Sequence, residues 1–385
     1  MKKNLRALGV VIAALSMIAL AGCSSDPGTS TETMDAADLS PEAQAALQVV
    51  TAASESVDEF TAPGPAVDAS ALAGETVYYI PMALQIPLLN NLGTALTSAL
   101  ENVGATVQVC DAKLNPADAA SCISQAIDAD AAAVITGGIP KEFATTSFDQ
   151  LLAAGIPWVL SATTTSGDGD PSQVAYVSAD NVLLQSWSTN WVIADSNAAA
   201  NVLVIKLTDS EATTAWADYG ILATYEQGCA DCTVQVVETN SGQLDKLPSL
   251  ISSALIANPD ITYIQAEFDQ FLPSVSQGIQ SAARDDITVV SVDGQLSTLQ
   301  EIAAGGDVKA VAAYNQDAAA WYTADAVVRL TSGAEAVGDL SFPFRRIFTT
   351  ENVGNLTLTA DAQASGEWFG DADYRAGFLE LWGVN

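Results

Sequence analysis

From about residue 76 onward, short and nearly all-apolar runs alternate with longer stretches whose apolar residues recur at helical spacing. The apolar runs fall at 77–83, 105–110, 131–136, 156–161 and 174–177, and a second series at 202–207, 233–238, 261–266, 287–292 and 309–313. Amphipathic segments at 88–103, 116–129 and 244–257 separate them. Strands without a polar face belong in parallel sheets covered by helices on both sides. The roughly 310 residues involved exceed what one core comfortably holds, and the pattern restarts near Asn201. The expected fold class is therefore α/β, with two doubly wound lobes built on parallel sheets. A single eight-fold βα barrel is the rival. It leaves the run at 174–177, with its Ser178-Ala179-Asp180-Asn181 junction, and an irregular stretch at 331–350 unaccounted for.

Upstream the pattern changes. Residues 1–22 combine a basic start (Lys2, Lys3, Arg6) with a mostly apolar run up to Leu20, the layout of a secretory signal. The run is shorter than a bilayer span requires. Leu20-Ala21-Gly22-Cys23 closes it and resembles the lipobox of bacterial lipoproteins. That resemblance implies a diacylglycerol on the Cys23 thiol and attachment of the mature chain to the outer side of the cell membrane. Residues 24–40, rich in Ser, Thr, Asp and Ala, read as a flexible tether. Helical spacing returns from Pro41 to Val57, with Ser40 as N-cap and Glu42 in the first turn, and Phe60-Thr61-Ala62-Pro63-Gly64-Pro65 ends it. This pre-domain, within residues 23–74, either packs on the body or spaces it from its anchor.

Composition narrows the function. Lys and Arg number 13 against 46 Asp and Glu, a formal charge of −33. Removing residues 1–22, which hold three basic and no acidic residues, takes it to −36. Nucleic acid is excluded as a partner, because phosphate binding needs a concentrated basic surface. There is no histidine, so the Ser-His-Asp triad, His-based zinc sites and the usual neutral-pH proton shuttle are absent. Neither a cofactor nor a metal is expected. Besides Cys23, four cysteines form two close pairs, Cys110 with Cys122 and Cys229 with Cys232. Outside the cytoplasm such pairs read as disulfides. A zinc site and a Cys-x-x-Cys redox centre remain open, although Cys229 follows a helical stretch rather than a strand.

Several stretches, in order, resemble the type I periplasmic solute-binding proteins of the ribose-binding group. They are Ala83-Leu84-Gln85-Ile86-Pro87-Leu88-Leu89, Asn115-Pro116-Ala117, Gly155-Ile156-Pro157, Ser178-Ala179-Asp180-Asn181, Val292-Asp293-Gly294 and the closing Phe378-Leu379-Glu380-Leu381-Trp382-Gly383. The resemblance covers about residues 75–385. It implies a three-strand hinge at Ala179-Asp180, Tyr314-Asn315 and residues 340–342. The N-terminal lobe would be 75–178 plus about 315–340, and the C-terminal lobe 179–314 plus about 341–385. It also implies a monomeric, non-enzymatic receptor that closes on a small-molecule solute and presents it to an ABC permease with its ATPase.

Counting along the matched segments gives ligand candidates Gln85, Leu88, Leu89, Ser161 and Thr163 in the first lobe. Trp216, Tyr219, Glu267 and Asp293 follow in the second, with Tyr314 at the hinge. Asp293 resembles a family aspartate that accepts protons from ligand hydroxyl or ammonium groups; capping of the following helix is its plain alternative. Trp216 and Tyr219 are aromatic walls or simple core. The departures bear on the ligand. Sugar binders of the group place an Asp-Arg pair where this chain has Ser161-Ala162-Thr163, and paired Phe where it has Leu88 and Leu89. No arginine falls on a pocket position. Lys141 at a helix start and Lys206 near a strand end are in reach of an anionic ligand group, with solvated surface the plainer reading of Lys141. A less hydroxylated, more apolar, aromatic or cationic solute fits these losses better than a plain sugar. Two other functions use the same residues: a sensory receptor presenting its ligand to a membrane kinase or chemoreceptor, and an extracellular hydrolase with Glu267 and Asp269 as paired carboxylates.

Overall fold

A computed structural model describes residues 39–163, 169–336 and 339–384. The signal, the lipobox with Cys23 and the tether lie outside the described residues, apart from Leu39 and Ser40. Two six-stranded sheets organise the chain. The first holds β1 (Thr76–Pro81), β2 (Thr106–Val109), β3 (Ala133–Gly137), β4 (Trp158–Ser161) and β5 (Val174–Ser178), alternating with α2 (Pro87–Glu101), α3 (Pro116–Asp128) and α4 (Thr145–Ala153); a helix α1 (Pro41–Ala53) precedes them. The second holds β6 (Asn201–Leu207), β7 (Thr233–Thr239), β8 (Tyr263–Ala266), β9 (Thr288–Asp293) and β10 (Val308–Tyr314). Its helices are α5 (Asn181–Asp195), α6 (Glu211–Ala215), α7 (Ala223–Gly228), α8 (Leu247–Ala257), α9 (Leu272–Ser281) and α10 (Leu296–Ala303). The chain then returns to the first lobe as α11 (Gln316–Thr331) and β11 (Asp339–Ser341). It crosses again to β12 (Arg345–Thr349), α12 (Ala360–Ser365) and α13 (Tyr374–Leu381).

The strand orders are β11-β5-β4-β3-β1-β2 and β12-β10-β9-β8-β6-β7. All pairs are parallel except β10 with β12. This is the doubly wound, two-lobed α/β architecture expected, not a barrel. The apolar runs became strands because both faces are covered: β1, β3 and β4 are buried almost throughout. Two strands lie in the stretch that reads as irregular. β11 is only three residues long, and β12 opens on Arg345 and Arg346, so neither carries an apolar run. The helix read at 41–57 stops at Ala53, with Ser40 capping it by accepting from the Ala43 N–H at 3.1 Å. The amphipathic stretch at 244–257 opens with a 3₁₀ turn and becomes α-helical at Leu247.

Cys110, just after β2, is bonded to Cys122 in α3, and Cys229 to Cys232 in the turn between α7 and β7. Closing a loop of the Cys110–Cys122 length contributes about 3 kcal/mol on chain-entropy grounds.

The pre-domain packs on the body and bridges its lobes. α1 buries Ala43, Ala46, Val50 and Ala53 against α5. The chain then runs over the hinge side as an extended strap. The Val57 N–H donates to the Phe369 carbonyl at 2.7 Å, the Tyr322 hydroxyl to the Thr61 carbonyl at 2.7 Å, and the Val67 N–H to the Leu381 carbonyl at 2.9 Å. Beneath it α11 is buried on every side from Gln316 to Leu330, wedged between α2, the first sheet, the strap and α13. Its Arg329 pairs with Asp325 at 2.6 Å, both nearly inaccessible, and donates to the Pro65 carbonyl at 2.9 Å. A helix enclosed this way needs its polar groups matched inside, and these two match each other.

Candidate functional site

The chain leaves β1 to one side for β2 and to the other for β3, so the loops beyond these strands diverge and open a crevice at their carboxyl ends. β6 makes the same reversal between β7 and β8. The two crevices face each other across a mostly apolar cavity of about 430 Å³. The lining comes from segments that follow strand ends. Met82, Gln85, Leu88 and Leu89 follow β1, Gly138 follows β3, and Ala162 and Thr163 follow β4. Leu207, Asp209 and Ser210 come from the end of β6, Phe268 and Asp269 from β8, Asp293 and Gln295 from β9, and Tyr314 ends β10.

Local sequence fixes these loops. Pro87 at the first turn starts α2, and the Leu84 N–H is held by Asp111 at 3.2 Å. The Tyr79 hydroxyl donates to the Leu89 carbonyl at 2.8 Å. Its ring needs two glycines: a Cβ on Gly93 or Gly137 would stand 2.7 or 2.5 Å from Tyr79 atoms. In the second lobe Ser210 caps α6 reciprocally with Thr213, accepting at 3.1 Å and donating its own N–H at 3.3 Å. One turn on, a π-helical segment from Trp216 to Leu222 lies tight on α5, where a Cβ on Gly220 would meet the Val182 carbonyl at 2.6 Å.

Seven expected residues line the cavity: Gln85, Leu88, Leu89, Thr163, Trp216, Asp293 and Tyr314. Three are elsewhere. The Ser161 side chain turns under the sheet to the Thr323 hydroxyl of α11, 3.3 Å away. Tyr219 is 68% exposed and lines a neighbouring, more open pocket with Pro140 and Phe143 of the first lobe; the wider π turn takes it off the face of Trp216 that α-helical spacing predicts. Glu267 is inaccessible and accepts from the Leu207 N–H at 2.6 Å, its other oxygen without a partner. The two basic residues are committed too: Lys206 pairs with Asp218, and Lys141 with Asp149 at 3.3 Å. Phe268, Asn181, Asp209 and Gln295 are lining residues not anticipated. The rule that ligands sit beyond strand ends was the signal that points to Asp209 and Phe268.

The electrostatics are one-sided. Asp269 is enclosed and accepts from the Ser291 hydroxyl, the Gln295 N–H at 2.8 Å and the Thr298 hydroxyl at 2.8 Å. Burial pushes its carboxyl up to about 6 against these hydrogen bonds. Burial, with Asp269 and Glu267 nearby, holds Asp293 well above the usual carboxylate range. Glu267 is likewise raised by burial, opposed by the Leu207 N–H and by Lys206. Trp216 and Phe268 meet edge to face at 5.9 Å on one wall, and Tyr314 packs its edge on Phe342 at 5.7 Å.

Three crossovers join the lobes behind the cavity. Asp180 takes a left-handed conformation (φ 56°) and caps α5 through the Leu183 N–H at 3.1 Å. Asn315 caps α11 through the Ala318 N–H at 2.9 Å, and its own N–H donates to the Phe344 carbonyl at 2.8 Å. Arg345 ties the first and third crossings of the chain, donating to the Ser341 hydroxyl at 2.8 Å and the Ala179 carbonyl at 3.3 Å beside the Asp180 carboxylate.

Comparison with known proteins places this geometry. The family pattern described as periplasmic binding protein domain matches residues 77–335. The ribose import binding protein RbsB of Escherichia coli (strain K12) is 22% identical over 231 residues, which make up 59% of this chain and 75% of that protein. Among solved structures, the 5-methylthioribose transporter solute-binding protein of Thermotoga lettingae, in complex with 5-methylthioribose, superposes with a TM-score of 0.70 at 16% identity. The match covers 83% of this chain and 100% of that one. A sugar ABC transporter protein of Yersinia enterocolitica gives 0.69 at 16% identity, over 84% and 98%. These structural likenesses establish the fold.

Proposed function

Since the chain belongs to the periplasmic binding protein family, we propose that it is an extracytoplasmic solute receptor of an ABC importer, held at the membrane by lipid on Cys23. It captures one small solute, sugar-like or less hydroxylated, between its lobes and hands it to a permease driven by an ATPase. The observation that carries this reading is the cavity of about 430 Å³ walled by the strand-end loops of both lobes. A solute there touches both lobes at once, so it favours the closed form by its differential affinity for that form. Ala179, Asp180 and Asn315 lie at the crossovers and are assigned the hinge. Gln85, Leu88, Leu89, Thr163, Trp216, Asp293 and Tyr314 are assigned ligand contact. The names of the relatives, ribose import and 5-methylthioribose transport, support a sugar-like solute.

Thermal shift across sugars, polyols, amines, nucleosides and aromatic acids tests the reading. A ligand of the closed form raises the melting temperature in proportion to the logarithm of its concentration above Kd. Cells lacking the gene should lose uptake of the same compound. Intact uptake of the compound that gives the largest shift would overturn the importer assignment. For the anchor, Cys23→Ala should abolish incorporation of labelled fatty acid; persistent labelling would refute attachment at Cys23.

A further inference from the structure

The charge lining the cavity is of one sign among the described residues. Among the described residues that line it, Asp209, Asp269 and Asp293 are acidic and none is lysine or arginine. Two of the three carboxylates are already occupied. Asp209 accepts from the N–H and hydroxyl of Ser241, and Asp269 from Ser291, Gln295 and Thr298. Asp293 is different. It is only 9% exposed, and among the described residues the Asp269 N–H donates to its carboxylate. The groups facing it are Asp269 and Glu267 from the end of β8, and Tyr314 from β10. None of them is basic. The nearby cations Lys206 and Arg345 are turned to Asp218 and Asp180.

The backbone holds this carboxyl in place at a cost. Asp293 has a φ of 122°, a region that residues with a side chain rarely enter, and Gly294 follows at 72°. Gly294 cannot carry a Cβ, which would stand 2.3 Å from the Ala313 side chain. Strain of this kind concentrates at ligand clamps. Across the cavity Leu88 and Leu89 of the first lobe form an aliphatic wall, and Trp216 and Phe268 of Asp293's own lobe an aromatic one. An aromatic face attracts a cation as well as an apolar body.

We propose that the cleft selects a solute carrying one ammonium group on an apolar body, the ammonium seated at Asp293 and the body against Leu88, Leu89, Trp216 and Phe268. The inference rests on the receptor reading above and names its ligand class. A buried carboxylate met by one backbone N–H and no cation is unfavourable, and a ligand cation supplies the charge partner that the fold omits. The raised proton affinity of Asp293 adds a signature. In the empty cleft the carboxyl keeps its proton, an ammonium displaces it, and binding releases up to one proton per ligand.

The test is calorimetric titration of the full chain, purified in detergent and freed of carried-over ligand by unfolding and refolding. The probes are 2-phenylethylamine and choline, the neutral isostere 2-phenylethanol, and the neutral sugars ribose and 5-methylthioribose. Expected are at least 100-fold tighter binding of an amine than of 2-phenylethanol, and affinity that rises with pH until Asp293 is ionised. Titrations in buffers of different ionisation enthalpy should show proton release. Asp293→Asn should bring the amine down to the level of its isostere while the empty protein melts no lower than the parent. A neutral sugar that binds more tightly than both amines, with affinity falling as pH rises, would overturn the ammonium inference and leave the receptor standing. No response to any probe, with no solute recovered from the protein as first purified, would remove both.

Discussion

Asp269 shows how an enclosed side chain can set a solution property. Burial raises its carboxyl to about 6, so the native state holds that proton more tightly than the unfolded chain does. The associated stability is complete below about pH 4 and is lost as pH rises through about 6. The ligand-free protein should therefore be more stable at pH 5 than at pH 7, by roughly 1 kcal/mol in total across that window. Denaturant titrations at the two pH values check this, and Asp269→Asn should reduce the slope. Glu267 and Asp293 shift in the same direction, so some slope should survive; an unchanged slope would remove Asp269 as its source. Membership of the cavity was partly legible at this scale. Asp293, Thr163 and Gln85 lie just beyond strand ends, a position that hydrophobic runs reveal. Ser161 and Glu267 were misplaced because neighbouring residues at a strand end point to opposite faces. One residue of error in the end sends a side chain to α11 or to the Leu207 N–H instead of the cleft.

At the scale of elements, the ten strands that could be read are those with apolar runs; eight are buried on both faces, and the edge strands β2 and β7 are largely open to solvent. β11 and β12 have no such run, because their pairing with β5 and β10 is set by the returning chain rather than by local pattern. They matter nonetheless, since Arg345 at the start of β12 joins the first and third crossings of the chain. Arg345→Ala removes these bonds and should lower stability by about 1 kcal/mol. It should also broaden the distribution of interlobe distances in the ligand-free protein, measured by spin-label or fluorescence distances between α3 and α8. An unaltered distribution would mean that the three crossings set the angle without this tie. The π-helical turn after α6 was equally illegible, because the sequence of residues 216–222 carries a normal helical pattern and only packing against α5 widens it.

For the whole molecule, two lobes and a cleft were foreseen, but the strap was not. A segment with helical spacing followed by Pro-Gly-Pro says nothing about what it covers. Its anchor is Phe60, which meets Phe378 edge to face at 4.9 Å and sits so close to Gly377 that a Cβ there would be 2.3 Å from the ring. Phe60→Ala should cost about 2 kcal/mol, below the range for a fully enclosed ring because Phe60 is half-buried. Chemical denaturation measures that loss; a loss below about 0.5 kcal/mol, the scatter of surface substitutions, would mean that the strap merely rests on the surface.

The enclosure of α11 has a consequence for where this protein can be cut. The family pattern spans 77–335, whereas the helix inside that span is roofed by residues from beyond both limits: Thr61 and Pro65 on one side, Phe378 and Trp382 on the other. A fragment trimmed to the recognisable domain would bare Trp321, Tyr322 and the Asp325–Arg329 pair along one contiguous face. Such a face invites self-association. What is inherited as a unit of sequence is thus smaller than what must be made as a unit of folding. The residues that complete it are those a comparison of relatives would discard first.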